Sequence, residues 1–86
     1  MREIRKDLKT ALEKNKVVIG TNESLKVAMS GSAKVVVYAA NCPSDIRERV
    51  KAAAVKQKFD VEQFDGNSIE LGTFCGKPFA VSVLAF

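Results

Sequence analysis

Three short stretches carry the side chains that could do chemistry. The first is Gly20-Thr21-Asn22-Glu23-Ser24-Leu25-Lys26, placed where an apolar run gives way to a helical pattern. Asn22 and Lys26 are four apart, and Glu23 and Lys26 three apart, so the three share one side of a first helical turn. Leu25 and Met29 then face the core. An amide, a carboxylate and an ammonium on rigid backbone suit the edges of nucleic-acid bases. The carboxylate accepts from base N–H groups, and the ammonium donates to guanine O6 and N7. A helix N-terminus adds partial positive charge near a phosphate. The same residues also read as plain capping, with Thr21 or Asn22 as N-cap, Glu23 on the helix dipole and Lys26 solvated.

The second stretch is Asn41-Cys42-Pro43, again after a strand-like run and before a helical one. Ligands of open α/β sheets gather outside the carboxyl ends of strands, which places Asn41 where it could bond a base. Pro43 stiffens the turn, and a simple turn-and-cap segment has the same composition. Cys42 could serve as a thiolate nucleophile, but the chain contains no histidine to activate it. The third stretch is Gly76-Lys77-Pro78-Phe79. A cation beside an exposed ring suits RNA, with a base on the ring and phosphate on the lysine. Alternatively, Phe79 begins a strand and packs inside. Gly72 and Gly76 are too sparse for a dinucleotide loop and end a helix instead of opening one.

These stretches need elements to hold them. Ile4, Leu8, Ala11 and Leu12 recur at helical spacing, with Arg2, Arg5, Lys6 and Lys9 on the opposite face. Lys16 to Gly20 reads as a strand through Val17-Val18-Ile19. Thr21 to Ser30 is a helix with Leu25, Ala28 and Met29 inward, stopped at Gly31-Ser32. Val35 to Ala40 is a β-branched run suited to a central strand buried on both faces. Ser44 or Asp45 can cap the next helix, Asp45 and Glu48 having capping-box spacing, and Ile46, Val50, Ala53 and Ala54 form its inner stripe. Phe59 to Phe64 is a strand with Val61 inside. Gly66 turns the chain, Asn67 and Glu70 repeat the capping-box spacing, and a short helix runs to about Cys75. Phe79 to Phe86 alternates and makes the last strand, with Val81, Val83 and Ala85 on one face.

The order is α-β-α-β-α-β-α-β, which implies a parallel or mixed sheet covered by helices on both faces. If the first two strands are parallel neighbours, the Gly20 and Asn41 stretches leave the same edge of the sheet. The Lys77 stretch precedes its strand, so it reaches that edge only if the last strand runs antiparallel.

Composition sets limits. With 86 residues, the chain has material for one modest core and reads as a single domain over 1–86. It is 47% hydrophobic and 28% charged, the make-up of a soluble globular domain. A net charge of +4 and a pI near 9.3 lean towards a polyanionic partner, although a solubilising surface would look the same. No stretch reaches the roughly 18 to 20 apolar residues of a membrane span. The start, Met1 to Asp7, lacks the apolar core of a signal peptide. Cys42 and Cys75 fit neither a disulfide framework nor a metal spacing, so a reduced, cytosolic protein without cofactor is expected.

The same residues carry a resemblance. Gly20-Thr21-Asn22-Glu23 followed by Lys26 is similar to the signature of the kink-turn RNA-binding, L-seven-Ae-like superfamily. Ala39 to Pro43, and Glu70 to Phe79, resemble its L-thirty-e branch of large-subunit ribosomal proteins. The likeness runs from about Ile4 to the last residue. It implies an α/β/α sandwich with a four-stranded mixed sheet, and binding to a helix–bulge–helix RNA with tandem sheared G·A pairs. By that resemblance Asn22, Glu23 and Lys26 meet the sheared guanines, and Gly20 and Thr21 let the backbone approach. Asn41 touches the bulge region, and Cys42 and Pro43 beside it are RNA-binding. Phe79 packs on an extruded or stacked nucleotide, in a loop shaped by Lys77 and Pro78. The implied protein is a non-enzymatic, ribosome-associated component, monomeric when free, with ribosomal RNA and neighbouring ribosomal proteins as partners. A core protein of a non-ribosomal RNA–protein particle is the alternative, followed by a small Cys42-dependent enzyme.

Overall fold

The computed structural model describes residues 3–86. Arg2, expected on the charged face of the first helix, lies outside them. Among the described residues the chain forms α1 (Ile4–Glu13), β1 (Val18–Ile19), α2 (Thr21–Met29), β2 (Val35–Tyr38), α3 (Ser44–Gln57), β3 (Asp60–Gln63), α4 (Ser68–Phe74) and β4 (Val83–Ala85). The four strands make one mixed sheet in the order β1-β4-β2-β3. β4 is antiparallel to both of its neighbours, and β2 is parallel to β3. This is the three-layer α/β sandwich that the element order implied.

Alternation along the central strands sorts the core into two layers. Val36, Tyr38, Val83 and Ala85 pack with Leu25 and Ala28 of α2 and Val50 of α3. Val35, Val37 and Leu84 pack on the other face with Leu8 of α1 and Leu71 of α4. β2 is therefore buried at every position, as its unbroken β-branched run requires. Ser24, wholly buried, donates from Oγ to the Val18 carbonyl at 3.2 Å and ties α2 to β1.

Arg5 was expected on the face of α1 opposite its apolar stripe, and it does more than that. Its guanidinium lies 4.7 Å from the Phe64 ring centroid and 5.5 Å from that of Phe74. It also pairs with Asp65 at 2.7 Å, fastening α1 to the turn between β3 and α4. The donated hydrogen bonds hold the Asp65 carboxyl below its ordinary value.

Several expected boundaries move, each for a physical reason. The last strand begins at Val83, not Phe79, because the preceding backbone is bonded to α4: the Val81 N–H donates to the Ser68 carbonyl at 2.9 Å. Met29 is exposed, not inward; Leu25 and Ala28 fill the core, and Met29 sits over the gap towards α3 beside Arg49 and Ala53. The Asp45–Glu48 box does not form. α3 starts two residues earlier than that box requires, with Pro43 as N-cap, which leaves Asp45 inside the first turn. The Asn67–Glu70 box does form, with bonds of 2.9 and 3.1 Å. Gly72 lies within α4 instead of ending it.

Gly72 sets how closely α4 approaches the chain before β4. A Cβ there would collide with the Phe79 carbonyl oxygen and come within 3.1 Å of its carbon. Backbone on both sides leaves no flexible atom to yield. Gly72→Ala should therefore destabilise the fold by about 2 kcal/mol or more in urea unfolding, despite alanine's advantage of roughly 1 kcal/mol in a helix. A gain in stability, as propensity alone would give, would contradict this account.

Candidate nucleic-acid interface

Gly20 is the hinge of the first stretch. Its φ of +110° is open to glycine and strained for other residues. Its N–H donates to the Val83 carbonyl at 3.0 Å, the last rung between β1 and β4, and its carbonyl accepts from the Ser24 N–H at 2.9 Å. One residue thus ends the strand and starts the helix, as its N-cap. Neither Thr21 nor Asn22 takes that place, so the capping reading of these two does not hold. With Ser24, Leu25 and Ala28 buried, the turn of helix leaves Asn22, Glu23 and Lys26 exposed on one side. Thr21 is half-buried beside them.

The second stretch leaves the end of β2. The Ala39 N–H donates to the Ser82 carbonyl at 2.8 Å, and the Ala40 N–H to the Gly66 carbonyl at 2.9 Å. Asn41 and Pro43 are exposed. The Asn41 Oδ1 accepts from the Ser68 N–H at 2.8 Å, so what Asn41 can offer a ligand is its amide NH2. Cys42 points the other way. It is 5% exposed and packs in the core with Tyr38 and Val50. Its side chain cannot be a surface contact, and its part in the site is to anchor the loop from below. Burial also pushes its thiol pKa up, opposite to what a nucleophile needs.

The third stretch turns at Gly76, whose φ is +73°. The Lys77 N–H donates to the Gly72 carbonyl at 2.9 Å. Lys77, Pro78 and Phe79 are all exposed, Phe79 by 55%. The ring is therefore not a core residue, and the packed alternative for Phe79 is excluded. With Ile69 and Thr73 of α4, these residues line an open hollow of about 350 Å3. Ile69, 67% exposed, escaped the sequence reading. Its signal was available, since it sits well round the helix from Leu71, which faces the core.

Sheet order brings the three stretches together. β4 lies between β1 and β2 and runs against both, so Gly20, Ser82 and Ala39 are joined rung to rung along one rim. Ser68 ties two of them again, its N–H given to Asn41 and its carbonyl taken by Val81. No group of three or more His, Cys, Asp or Glu side chains among the described residues could hold a metal ion. No helix there is long and apolar enough to cross a membrane.

Residues 2–86 match the family model described as Ribosomal protein L7Ae/L30e/S12e/Gadd45 family. The chain belongs to this family. It is 43% identical over 82 residues to large ribosomal subunit protein eL30 of Methanosarcina mazei, covering 95% of this chain and 76% of that one. It is 38% identical over 85 residues to eL30 of Methanopyrus kandleri, covering 99% and 78%. Among solved structures it resembles the Giardia lamblia 15.5kD RNA binding protein, with a TM-score of 0.84 at 22% identity, covering 98% of this chain and 70% of that one. That last likeness speaks for the fold. The family relatives are named as ribosomal proteins, not as enzymes.

The opposite surroundings of the two thiols give a test. Cys75 is half-buried at the surface, whereas Cys42 lies in the core. In native protein a thiol reagent should modify Cys42 at least ~10-fold more slowly than Cys75, with both equal in urea. Equal native rates, read by mass spectrometry, would contradict the inward placement of Cys42.

Proposed function

We infer that this chain is a large-subunit ribosomal protein of the eL30 type that grips a kink-turn of ribosomal RNA with the rim described above. The single observation that carries the reading is the convergence of three connections on one rim, with Asn22, Glu23, Lys26, Asn41, Lys77 and Phe79 exposed there. The three sets of residues suit different parts of a bent duplex. Glu23 accepts hydrogen bonds from guanine N–H donors at sheared G·A pairs, while Lys26 donates to guanine acceptors or phosphate. Gly20, without a side chain, and half-buried Thr21 let the helix start approach closely. Asn41 and Pro43 lie at the bulge, and Phe79 gives an exposed ring to an unstacked nucleotide beside Lys77 and Pro78.

The basic balance of +4 supports the same partner by favouring association with phosphate. Membership of a ribosomal protein family and identities of 38–43% to eL30 proteins support the ribosomal setting over another RNA–protein particle. In this reading the single domain works in the cytoplasm as a structural component, a monomer when free, beside other ribosomal proteins. No step of the function asks for a cofactor.

Gel shifts with a kink-turn RNA test the proposal. Binding should be tight and should weaken with salt. Replacing the sheared G·A pairs with Watson–Crick pairs should abolish it; unchanged affinity would refute the assignment. Glu23→Ala should weaken binding by about 2–3 kcal/mol, because guanine donors lose a charged acceptor. Lys56→Ala, on α3 away from the rim, serves as the control, and an equal effect from both would count against the site.

A further inference from the structure

Asn22 does not stand alone on the rim. Arg49 of α3 donates from Nη2 to its Oδ1 at 3.0 Å, across the gap between α2 and α3. A guanidinium carries donors only. An amide that meets it must therefore present its oxygen, and its NH2 is turned away. The two ends of an amide are alike in shape, so a free asparagine could offer a ligand either a donor or an acceptor. The Arg49 contact removes that choice.

Packing directs the arginine to its task. Arg49 shares an open hollow of about 290 Å3 with Leu25, Met29, Ala52, Ala53 and Lys56, between the two helices. A stem lying along apolar surface leaves fewer directions for the guanidinium. α3 begins directly after Pro43, so the same helix that leaves the second stretch reaches back to hold a residue of the first.

The geometry points to Arg49 as a positioning residue for the RNA site: it holds the Asn22 amide so that only N–H donors face the ligand. This rests on the RNA-binding reading and sharpens it. The helix start then offers a fixed set, with donors from Asn22, acceptors from Glu23 and donors from Lys26. The atom opposite Asn22 must be an acceptor, such as a purine ring nitrogen, a guanine O6 or a backbone oxygen, and not a base amino group.

A double-mutant cycle on the full chain tests this, using Arg49→Ala, Asn22→Ala and both together. Affinity for the kink-turn RNA is measured by fluorescence anisotropy over a range of salt. Arg49→Ala should lower affinity about five- to tenfold in the wild-type background. It should lower it less than about twofold when Asn22 is already alanine. The slope of log affinity against log salt should stay the same, since no phosphate contact is lost. An equal loss in both backgrounds with a slope smaller by about one would make Arg49 a direct phosphate contact and overturn the proposal. No loss at all would also overturn it. If wild-type protein fails to prefer the kink-turn, the functional reading fails separately. The Arg49 contact is then still tested in RNA-free protein by the side-chain amide NMR signals of Asn22. Those signals should shift in Arg49→Ala, and unmoved signals would overturn the contact.

Discussion

The reversal of β4 is the constraint on which the rest depends. β1, β2 and β3 all point their carboxyl ends at one rim, and helices following them would by themselves deliver only the connections that start there. A fourth parallel strand would have delivered its preceding loop to the far end of the sheet. Because β4 runs antiparallel between β1 and β2, its N-terminal loop arrives between the other two connections. The cost of that insertion is small, since Val83, Leu84 and Ala85 are fully buried and pair on both sides.

Around this reversal, backbone contacts do most of the positioning. Gly20 serves at once as a rung of the sheet and as a helix start. Ser68 gives its N–H to one connection and its carbonyl to another. Gly72 lets α4 come close enough to fix the chain that presents Phe79. On the rim itself the two asparagine oxygens are engaged, that of Asn22 by Arg49 and that of Asn41 by the Ser68 N–H. Rigid backbone with exposed polar ends is what discrimination between base edges asks for, since a mobile donor would accept several partners.

Much of this was legible in the residues, and the gaps have causes. Unbroken apolar Val35 to Tyr38 marked the central strand, because burial on both faces leaves a direct mark on side-chain type. Val81 was expected to share a face with Val83 and Ala85, but it lies before β4, bonded to Ser68, and packs in the other layer with Leu84. The Asn67–Glu70 box was readable because capping is local. The Asp45–Glu48 pair had the same spacing and failed, since Pro43 takes the cap and shifts the frame. Cys42 was placed on the RNA surface along with its neighbours; a turn residue can face either way, and the core below Tyr38 claimed it. The Arg49–Asn22 contact spans 27 positions, which no periodicity encodes. The role of Gly72 likewise depends on a chain segment that crosses it only after folding.

The central claim is that these connections act as one face towards RNA. Backbone amide NMR shifts during titration with kink-turn RNA read it directly. The account predicts that residues 20–26, 41–43 and 77–79 move together at one RNA equivalent. It predicts little change around Gly31, Lys34 and Lys58, which line a basic hollow at the opposite end of the sheet. Shifts gathered at that opposite hollow, or at only one of the three connections, would contradict it.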